Sequence, residues 1–486
     1  MWSDRPSTES RHDLVERLRA VLPAPRTDAR TRTIELPDNP DAASVAAGLW
    51  PQPGFVWLDR PEQAWIAADP VVRITTRAGR TLVCGPGGRI ELDARGFDIL
   101  DAVFAAWRGP GSALLCGYLG YELGAELEDL ALAEHQSADL PDLHLGLYDW
   151  RLERSANAWQ LRGTDAWRDC DERKWGQALR PAAGLPPGAA SGSLAAAPKG
   201  RPTSLNAQVL SLPNAAGFEA AVARTVARIH NGELFQVNLC RRLEATLPAA
   251  EIFPLYLRLR AISPASHGAL IRTGDHRAVL SISPELFLDL QNGRVRSCPI
   301  KGTRPRGATP GEDRRLAAEL AASEKDRAEL AMIVDVTRND LGRVCRAGSV
   351  RVTRHAELVS LPTVHHTFSE VTGELREGCG PVDLLRASFP PASISGAPKI
   401  RAMEIAALEE GRRRGPCMGS IGWLSLDGDL ELSVAIRTAV ASENRVWYLA
   451  GCGITAESQP VEELAESEAK AVAFLRALGP AKNARD

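Results

Sequence analysis

Apolar residues follow two different periodicities along this chain, and together they predict a protein of mixed helices and strands. Before residue 150, short apolar runs bounded by Gly and Pro predict strands at Gly54–Leu58, Val71–Thr75 and Ser112–Tyr118, and the spacing of Phe97–Trp107 predicts a helix. After residue 215, helical spacing recurs in five segments: Phe218–His230, Arg314–Val336, Val382–Ala387, Pro398–Glu410 and Val461–Leu478.

Alternating apolar residues predict strands in the same C-terminal part. Two strand regions are followed by a meander, at Phe235–Leu239, Ala278–Leu290, Met418–Leu426, Glu431–Val440 and Val446–Ala450. Because helices and strands are interspersed without a strict βαβ order, the pattern predicts an α+β fold with large, antiparallel-rich sheets.

A segment dominated by Pro, Gly, Ala and Ser, Pro181–Pro202, divides the chain. Such a composition cannot bury a core and is typical of a flexible connection. We therefore expect an N-terminal region at 30–180, a linker at 181–205 and a larger C-terminal domain at 216–476.

Composition narrows the classes of function. The 486 residues carry a net charge of −3, which lacks the basic field that would neutralise many phosphates, so nucleic acid is not the expected partner. No run approaches the roughly 20 apolar residues that span a bilayer, and the first 30 residues lack the apolar core of a signal peptide. Nine cysteines without a C-x-x-C pair indicate reduced thiols. We expect a cytoplasmic protein that is not bound to a membrane and acts on a small metabolite or another protein.

Two predicted helices carry acidic residues on one face. Asp326 and Glu329 are three residues apart, as are Glu463 and Glu466, and Lys470 follows four after Glu466. Exposed helices often show this pattern, and taken alone each cluster is better explained as a solvated face. Considered together, two short carboxylate clusters could hold an octahedral Mg²⁺ that keeps positions open for an anionic substrate.

A lysine and a glutamate lie in neighbouring strand-like segments. Lys301 follows Pro299 and Ile300 and precedes a glycine turn, and Glu285 stands sixteen residues earlier. Lys301 could be an ordinary surface residue, or it could be a nucleophile or base, because burial disfavours the ammonium form. An acid and a lysine on adjacent strands would suit a reaction that expels a hydroxyl group while adding a nucleophile.

Other candidate residues have equally good structural explanations. On a strand over Glu431–Val440, Arg437 would face away from the apolar side and could contact a carboxylate. Gly453 ends a G-x-G that allows close approach to an anion, and Ser395 precedes a helix that it could simply cap. His365 and His366 would point to opposite faces of a strand, so we expect at most one of them, His366, in a site.

Taken in order, ten segments resemble the chorismate-using family that includes anthranilate synthase component I, aminodeoxychorismate synthase component I and isochorismate synthase. They are GYLGYELG (117–124), LPDLHLGLYDW (140–150), FQVNL (235–239), SPELF (283–287), PIKGTRPRG (299–307), AELAMIVDVTRNDLGRV (328–344), GAPKIRAMEI (396–405), GSIGWLS (419–425), AIRT (435–438) and AGCGI (450–454). The fold that this resemblance implies is one complex two-layer α/β sandwich to which both regions contribute strands.

The resemblance also implies roles for individual residues. Mg²⁺ would be bound by Glu329 and Glu466, with Asp326 and Glu463 supporting it through water. Chorismate would be held by Arg437, expected on the enolpyruvyl carboxylate, and by the remaining substrate-binding candidates, which are Thr303, His366, Ser395, Lys470, Gln236 and the backbone at Gly453.

Two positions indicate which product the family pattern favours. The water-adding members resemble K-V-V-L where this chain has Q-V-N-L from Gln236, and anthranilate synthases usually have P-I-A-G-T where this chain has Lys301. The lysine is typical of the aminodeoxychorismate synthases, which start p-aminobenzoate and folate synthesis. The implied mechanism has Lys301 attack C2 of chorismate while Glu285 helps the C4 hydroxyl leave, after which ammonia adds at C4.

The ammonia requires a source. Gly415-Pro416-Cys417-Met418-Gly419 has the letters of a glutaminase nucleophile motif, but no glutaminase-sized region surrounds it. We therefore expect a separate glutamine amidotransferase subunit. Two alternatives remain: an anthranilate synthase that releases pyruvate, and a catalytically silent scaffold of the same family.

Overall fold

The protein is described here by a computed structural model. It covers residues 9–23, 30–34, 40–61, 63–107, 113–128, 130, 140–155, 158–163, 209–361 and 364–479. The predicted linker at 181–205 and the end of the predicted N-terminal region lie outside the described residues.

The described residues before 164 form short strands and four helices. The helices are α1 (Arg11–Arg19), α2 (Ala42–Leu49), α3 (Gly96–Ala106) and α4 (Leu123–Glu128). The strands are β1 (Arg30–Ile34), β2 (Val56–Asp59), β3 (Gln63–Ala67), β4 (Val72–Arg77), β5 (Arg80–Gly85), β6 (Gly88–Leu92), β7 (Leu114–Leu119), β8 (Leu143–Tyr148), β9 (Trp150–Ser155) and β10 (Ala158–Gly163).

The part after residue 208 has longer helices and strands. The helices are α5 (Ala215–His230), α6 (Ile252–Ile262), α7 (Pro310–Ala322), α8 (Glu324–Gly342), α9 (Pro381–Ser388), α10 (Lys399–Glu410) and α11 (Pro460–Leu478), with short 3₁₀ turns at Ala249–Glu251 and Ala392–Ile394. The strands are β11 (Leu210–Leu212), β12 (Gln236–Thr246), β13 (His267–Gly274), β14 (Arg277–Ser283), β15 (Leu286–Gln291), β16 (Arg294–Cys298), β17 (Ile300–Pro305), β18 (Arg351–Ser360), β19 (Val364–Glu374), β20 (Gly396–Ala397), β21 (Ser420–Ser425), β22 (Leu430–Val434), β23 (Thr438–Ser442) and β24 (Arg445–Ile454).

The strands form two twelve-stranded sheets, and each contains strands from both parts of the chain. The first sheet has the order β1-β10-β9-β3-β2-β13-β14-β23-β24-β12-β11, with β20 paired to β12. The second has the order β17-β19-β16-β15-β22-β21-β7-β8-β4-β5-β6, with β18 paired to β19. The pairs β2–β13 and β7–β21 join the two parts within the sheets. The α+β prediction is therefore confirmed, and the N-terminal strands are built into the same sheets as the C-terminal ones.

Alternation along each strand decides what packs on either face of a sheet. On β14, Val279 belongs to the large core that also contains Leu115 and Leu432 of the second sheet. Its neighbour Leu280 belongs instead to a core with Phe474 of α11. Since successive side chains of a strand point to opposite faces, the first sheet is covered by the second sheet on one side and by helices on the other.

Three segments predicted as single elements are each divided in two. The strand pattern of Ala278–Leu290 becomes β14 and β15, and that of Glu431–Val440 becomes β22 and β23; in both cases the two strands lie in different sheets. The helical pattern of Arg314–Val336 is broken at Ser323, whose hydroxyl accepts a hydrogen bond from the backbone N–H of Asp326 and starts α8. Apolar alternation continues through the two strand junctions, so it did not reveal them, whereas Pro284 and the polar run at 323–327 were the local signals of a break.

The eight cysteines that the structure describes are free thiols. Among the described helices, none is both long enough and apolar enough to cross a membrane.

Candidate active site

Glu285 and Arg437 lie where the chain passes between the two sheets. Glu285 stands between β14 and β15, and Arg437 between β22 and β23. The passages are tied together: the Ser283 hydroxyl donates to the Val434 carbonyl at 2.6 Å, and the Val434 N–H donates to the Glu285 carbonyl at 3.0 Å. Both side chains are thus placed at one junction by backbone geometry that a single continuous strand would not provide.

The prediction that Arg437 projects from a continuous strand is wrong. Its φ is +51°, in the left-handed region, because the strand has ended at Val434 and the backbone turns toward the other sheet. Its carbonyl accepts a hydrogen bond from the Ile282 N–H at 3.1 Å. The half-buried guanidinium has no hydrogen-bond or ion-pair partner among the residues that the structure describes. A cation in this state is available to an anionic ligand.

The Glu285 carboxyl is suited to carrying a proton near neutral pH. Its side chain is almost fully buried, with 3% of the residue exposed. Burial raises the pKa of Glu285 to about 7, and the shift is partly opposed by Ser393 and Lys301. A small pocket lies beside it and is lined in part by Asp340, Ser388 and Ser393.

Lys301 is placed by a β-bulge. The register of β17 against β19 shifts between Lys301 and Thr303, and Gly302 between them has a φ of +73°. A Cβ on Gly302 would lie 2.8 Å from Leu320 of α7 and 3.0 Å from Asp326 of α8, so only glycine allows the strand to approach these helices. The Lys301 ammonium is then 3.9 Å from the Glu329 carboxylate on α8.

The two predicted acidic helices come together at this point. Lys325 of α8 reaches the carboxylate of Glu463 on α11 at 3.7 Å, which links the helices directly. Lys470 pairs with Glu466 at 2.7 Å and also donates to the Gly451 carbonyl at 2.9 Å. On α8, Asp326 pairs with Arg304 at 3.3 Å. The four carboxylates therefore form one cluster with lysine and arginine cations around it.

The electrostatics of the cluster favour a cation. Burial raises the pKa of Glu329; Lys301 and Lys325 oppose this shift, and the nearby carboxylates of Glu466 and Asp326 add to it. Burial acts in the same direction on Glu466, but the neighbouring Lys470 outweighs it and lowers the pKa. Glu463 is 2% exposed, and among the described residues its Oε2 has no hydrogen-bond partner. An unpaired buried carboxylate oxygen is costly, so the donor set fits a bound metal ion.

Gln236 and Gly453 form the wall opposite α8. The Gln236 amide nitrogen lies 3.5 Å from Glu329 Oε2, at the start of β12. Gly453 pairs with Asn238 across β12 and β24, and a Cβ at this position would overlap the Gln236 amide and lie 3.4 Å from Lys301 Nζ. Glycine is therefore needed at 453 because the side chains of Gln236 and Lys301 both approach this backbone.

The two adjacent histidines point in different directions, as predicted. His366 Nδ1 lies 2.9 Å from the Thr303 hydroxyl, whereas His365 contacts Ser360 at 2.8 Å and Asp313 of α7 at 3.0 Å. Burial lowers the pKa of His366 to about 4, with Arg437 acting in the same direction. His366 is therefore a neutral imidazole at physiological pH.

The capping explanation for Ser395 is wrong. Helix α10 begins after Pro398 with no side-chain cap, because residues 396–397 form the short strand β20 and separate the serine from the helix. The Ser395 hydroxyl instead donates to the Pro391 carbonyl at 2.7 Å, and its own carbonyl accepts from the Asn238 N–H. Ser395 is thus held against the strand that carries Gln236.

Sequence reasoning missed a buried arginine behind this wall. Arg414 is 2% exposed and donates to the carbonyl oxygens of Asn238 at 2.6 Å and Ile394 at 3.1 Å. Its ion pair is Glu410 at 2.6 Å, and Glu122 of the N-terminal part accepts from its backbone N–H. The run Arg412-Arg413-Arg414 looks like a solvated surface, and only the following Gly-Pro hinted at a turn into the interior.

Known proteins similar to this chain cover most of its length. A family model described as chorismate binding enzyme matches residues 53–476. The aminodeoxychorismate synthase component 1 of Salmonella typhimurium is 37% identical over 413 residues, which are 83% of this chain and 86% of that protein. The anthranilate synthase component 1 of Streptomyces coelicolor is 39% identical over 377 residues, covering 76% of this chain and 73% of the relative.

The fold is also found in a solved structure. The crystal structure of anthranilate synthase component I from Streptococcus pneumoniae TIGR4 matches with a TM-score of 0.70 and 28% identity, over 86% of this chain and 93% of that one.

Proposed function

Because the chain belongs to the chorismate binding enzyme family, we propose that it converts chorismate and ammonia to 4-amino-4-deoxychorismate. The motif resemblance is confirmed by the family match over residues 53–476 and by relatives named aminodeoxychorismate synthase component 1. The single observation that carries the choice of product is Lys301. It stands on the Gly302 bulge, beside the acidic cluster and within electrostatic reach of Glu285.

The reaction begins with a substitution that uses both residues. The free amine of Lys301 forms a bond to C2 of chorismate, the ring double bond shifts, and the C4–O bond breaks. Glu285, which has a pKa of about 7, gives its proton to the departing hydroxyl, which leaves as water. No bond of the enolpyruvyl group forms or breaks in this step.

Ammonia then completes the exchange. It adds at C4, the double bond returns, and the C2–N bond breaks so that Lys301 leaves as an amine. The new C4 ammonium loses a proton, which restores the acid form of Glu285. The sum is chorismate plus ammonia giving 4-amino-4-deoxychorismate plus water, and no pyruvate is released.

Mg²⁺ is part of the proposal. Glu329 and Glu466 would hold it, with Asp326 and Glu463 supporting through water, and the unpaired Glu463 oxygen is the structural feature that supports this assignment. When bound, the ion would neutralise the ring carboxylate of chorismate. Arg437 would bind the enolpyruvyl carboxylate, because its guanidinium has no partner within the described part of the chain.

The remaining side chains would orient the substrate. Neutral His366 on β19 and Thr303 on β17 form a hydrogen-bonded pair near Lys301 and could bind a hydroxyl group. Gln236, Ser395, Gly453 and Lys470 line the opposite wall and complete the substrate-binding set that we propose.

We expect the ammonia to come from a glutamine amidotransferase subunit. The relatives' designation as component 1 supports a second component. The product would then serve p-aminobenzoate and folate synthesis.

Anthranilate synthase is the second candidate, because the Streptomyces coelicolor relative of that name is as similar as the aminodeoxychorismate synthases. The deciding experiment incubates the purified chain with chorismate, Mg²⁺ and an ammonium salt, and identifies products by mass. An aminated chorismate without pyruvate supports the proposal, whereas anthranilate with pyruvate overturns it.

Two lysine variants test whether Lys301 acts as the nucleophile or only through its charge. Lys301→Ala should abolish the aminated product, because it removes the nucleophile. Lys325→Ala is the matched control, since it removes another ammonium group from the same acidic cluster and should reduce turnover only modestly. Equal losses in both variants would mean that Lys301 contributes charge alone.

A further inference from the structure

Cys452 places a thiol beside the carboxylate cluster. Ligand atoms of Cys452, Glu463 and Glu466 all lie within 4.8 Å of one another. Cys452 lies on β24 and is fully buried, and its thiol donates to the Glu463 backbone carbonyl at 3.1 Å. The sulfur therefore occupies a fixed position at the end of the cluster formed by α11.

A second observation at the same place indicates a missing ligand. Glu463 Oε1 accepts from the Ser458 hydroxyl at 2.7 Å and lies 3.7 Å from Lys325 Nζ. Its other oxygen, Oε2, is buried and has no hydrogen-bond partner among the residues that the structure describes. A buried carboxylate oxygen is costly to leave without a partner, so a water molecule or an ion normally binds it.

We infer that Cys452, Glu463 and Glu466 form a binding site for a thiophilic divalent cation such as Zn²⁺. Typical Zn–S and Zn–O bonds would set ligand atoms about 3.6 Å apart around a tetrahedral ion. Side-chain rotations that move the ligand atoms by about 1 Å would therefore bring them to bonding distance. The thiol proton would leave to solvent as the sulfur binds. The fourth position would remain for water.

The site shares both Glu466 and Glu463 with the proposed Mg²⁺ site, so the two ions would compete. Mg²⁺ prefers an all-oxygen octahedron and gains nothing from the sulfur, whereas thiolate ligands favour zinc. Zinc is therefore expected to bind in the presence of excess Mg²⁺ and to inhibit turnover. The inference concerns metal binding alone and does not depend on which product the enzyme makes.

Cobalt(II) provides a direct measurement on the full chain, because a thiolate–cobalt bond gives a near-ultraviolet charge-transfer band. The wild-type protein should show this band with one bound cobalt, and Zn²⁺ should remove it. Cys452→Ser should lose the band and bind Zn²⁺ at least tenfold more weakly by calorimetry. The matched control is Cys417→Ser, another buried thiol, which donates to the Thr438 carbonyl at 3.2 Å; it should keep the band.

Glu463→Gln supplies an independent test, because it keeps the side-chain shape and removes the unpaired oxygen's charge. It should weaken Zn²⁺ binding with the thiol still present. No band in the wild-type protein at cobalt concentrations that displace Mg²⁺ would overturn the inference, and so would a band that survives in Cys452→Ser. A failure of chorismate amination with an intact cobalt band would instead count against the proposed function only.

Discussion

Lys301 Nζ lies 3.9 Å from Glu329 Oε2, so the proposed nucleophile is the counter-ion of a proposed metal ligand. Without a metal, the lysine helps to neutralise a carboxylate that would otherwise be buried among other carboxylates. A metal ion on Glu329 would take over that role and free the amine to face the substrate. Metal binding and nucleophile release are thus expected to be coupled through one carboxylate.

Glu329→Gln should weaken Mg²⁺ binding by about tenfold or more, because it replaces an anionic oxygen ligand with a neutral one. Titration calorimetry with Mg²⁺ measures this directly. Glu324→Gln on the exposed face at the start of α8 is the matched control and should bind Mg²⁺ like the wild type. Unchanged affinity in Glu329→Gln would remove this residue from the metal site.

The rate should depend on the protonation of Glu285. Its pKa is raised to about 7, and the proposed step needs the protonated form, so kcat should be full below about pH 6 and fall as the pH rises through 7. Glu285→Gln cannot donate the proton, and its kcat should be lower by roughly 10²–10⁴-fold and lack this alkaline limb. A wild-type profile that stays flat from pH 6 to 9 would contradict the assignment.

Gly453→Ala should impair activity through a steric effect on a single side chain. The new methyl group would overlap the Gln236 amide, and Lys301 Nζ would be 3.4 Å away. The double variant Gly453→Ala with Gln236→Ala removes that overlap and should recover part of the chorismate affinity. Gly342→Ala, where a Cβ meets nothing within 4 Å, is the neutral control. No recovery in the double variant would mean that the backbone at 453 itself has moved.

Arg414→Met should destabilise the protein by about 3–5 kcal/mol, because it leaves the buried Glu410 carboxylate without its cation. It also removes the hydrogen bonds to the Asn238 and Ile394 carbonyls, which flank Gln236 and Ser395. Denaturant unfolding measures the stability. A loss of less than about 1 kcal/mol in the free energy of unfolding, as for an exposed ion pair, would contradict a stabilising role of the buried Arg414–Glu410 pair.

Ser388→Leu should obstruct the pocket beside Glu285. The Ser388 hydroxyl lines this pocket and is buried without a hydrogen-bond partner among the described residues, so it is available to a small polar molecule there. If ammonia reaches C4 by this route, the KM for ammonium should rise several-fold while the KM for chorismate stays the same. Ser420→Ala, at another buried serine away from the pocket, controls for general repacking. A parallel rise in both KM values would indicate distortion of the whole site.

The sequence alone determined the class of fold and the family, and it supplied the candidate residues for the chemistry. Apolar periodicity located most of the described helices and fewer than half of the described strands, because local spacing depends only on which face of each element is buried. The ordered motifs around Glu285, Lys301, Glu329 and Glu466 identified the family. The acidic clusters on α8 and α11 followed from helical spacing.

Only the tertiary structure decided where elements end and which of them meet. Apolar alternation continues past Glu285 and Arg437 because both sheets bury these segments, so the apolar pattern does not show that the chain changes sheet there. The pairing of Lys325 with Glu463, the position of the Cys452 thiol and the burial of Arg414 depend on contacts between residues far apart in sequence. Such contacts are set by the packing of the two sheets against α8, α10 and α11, which no single segment specifies.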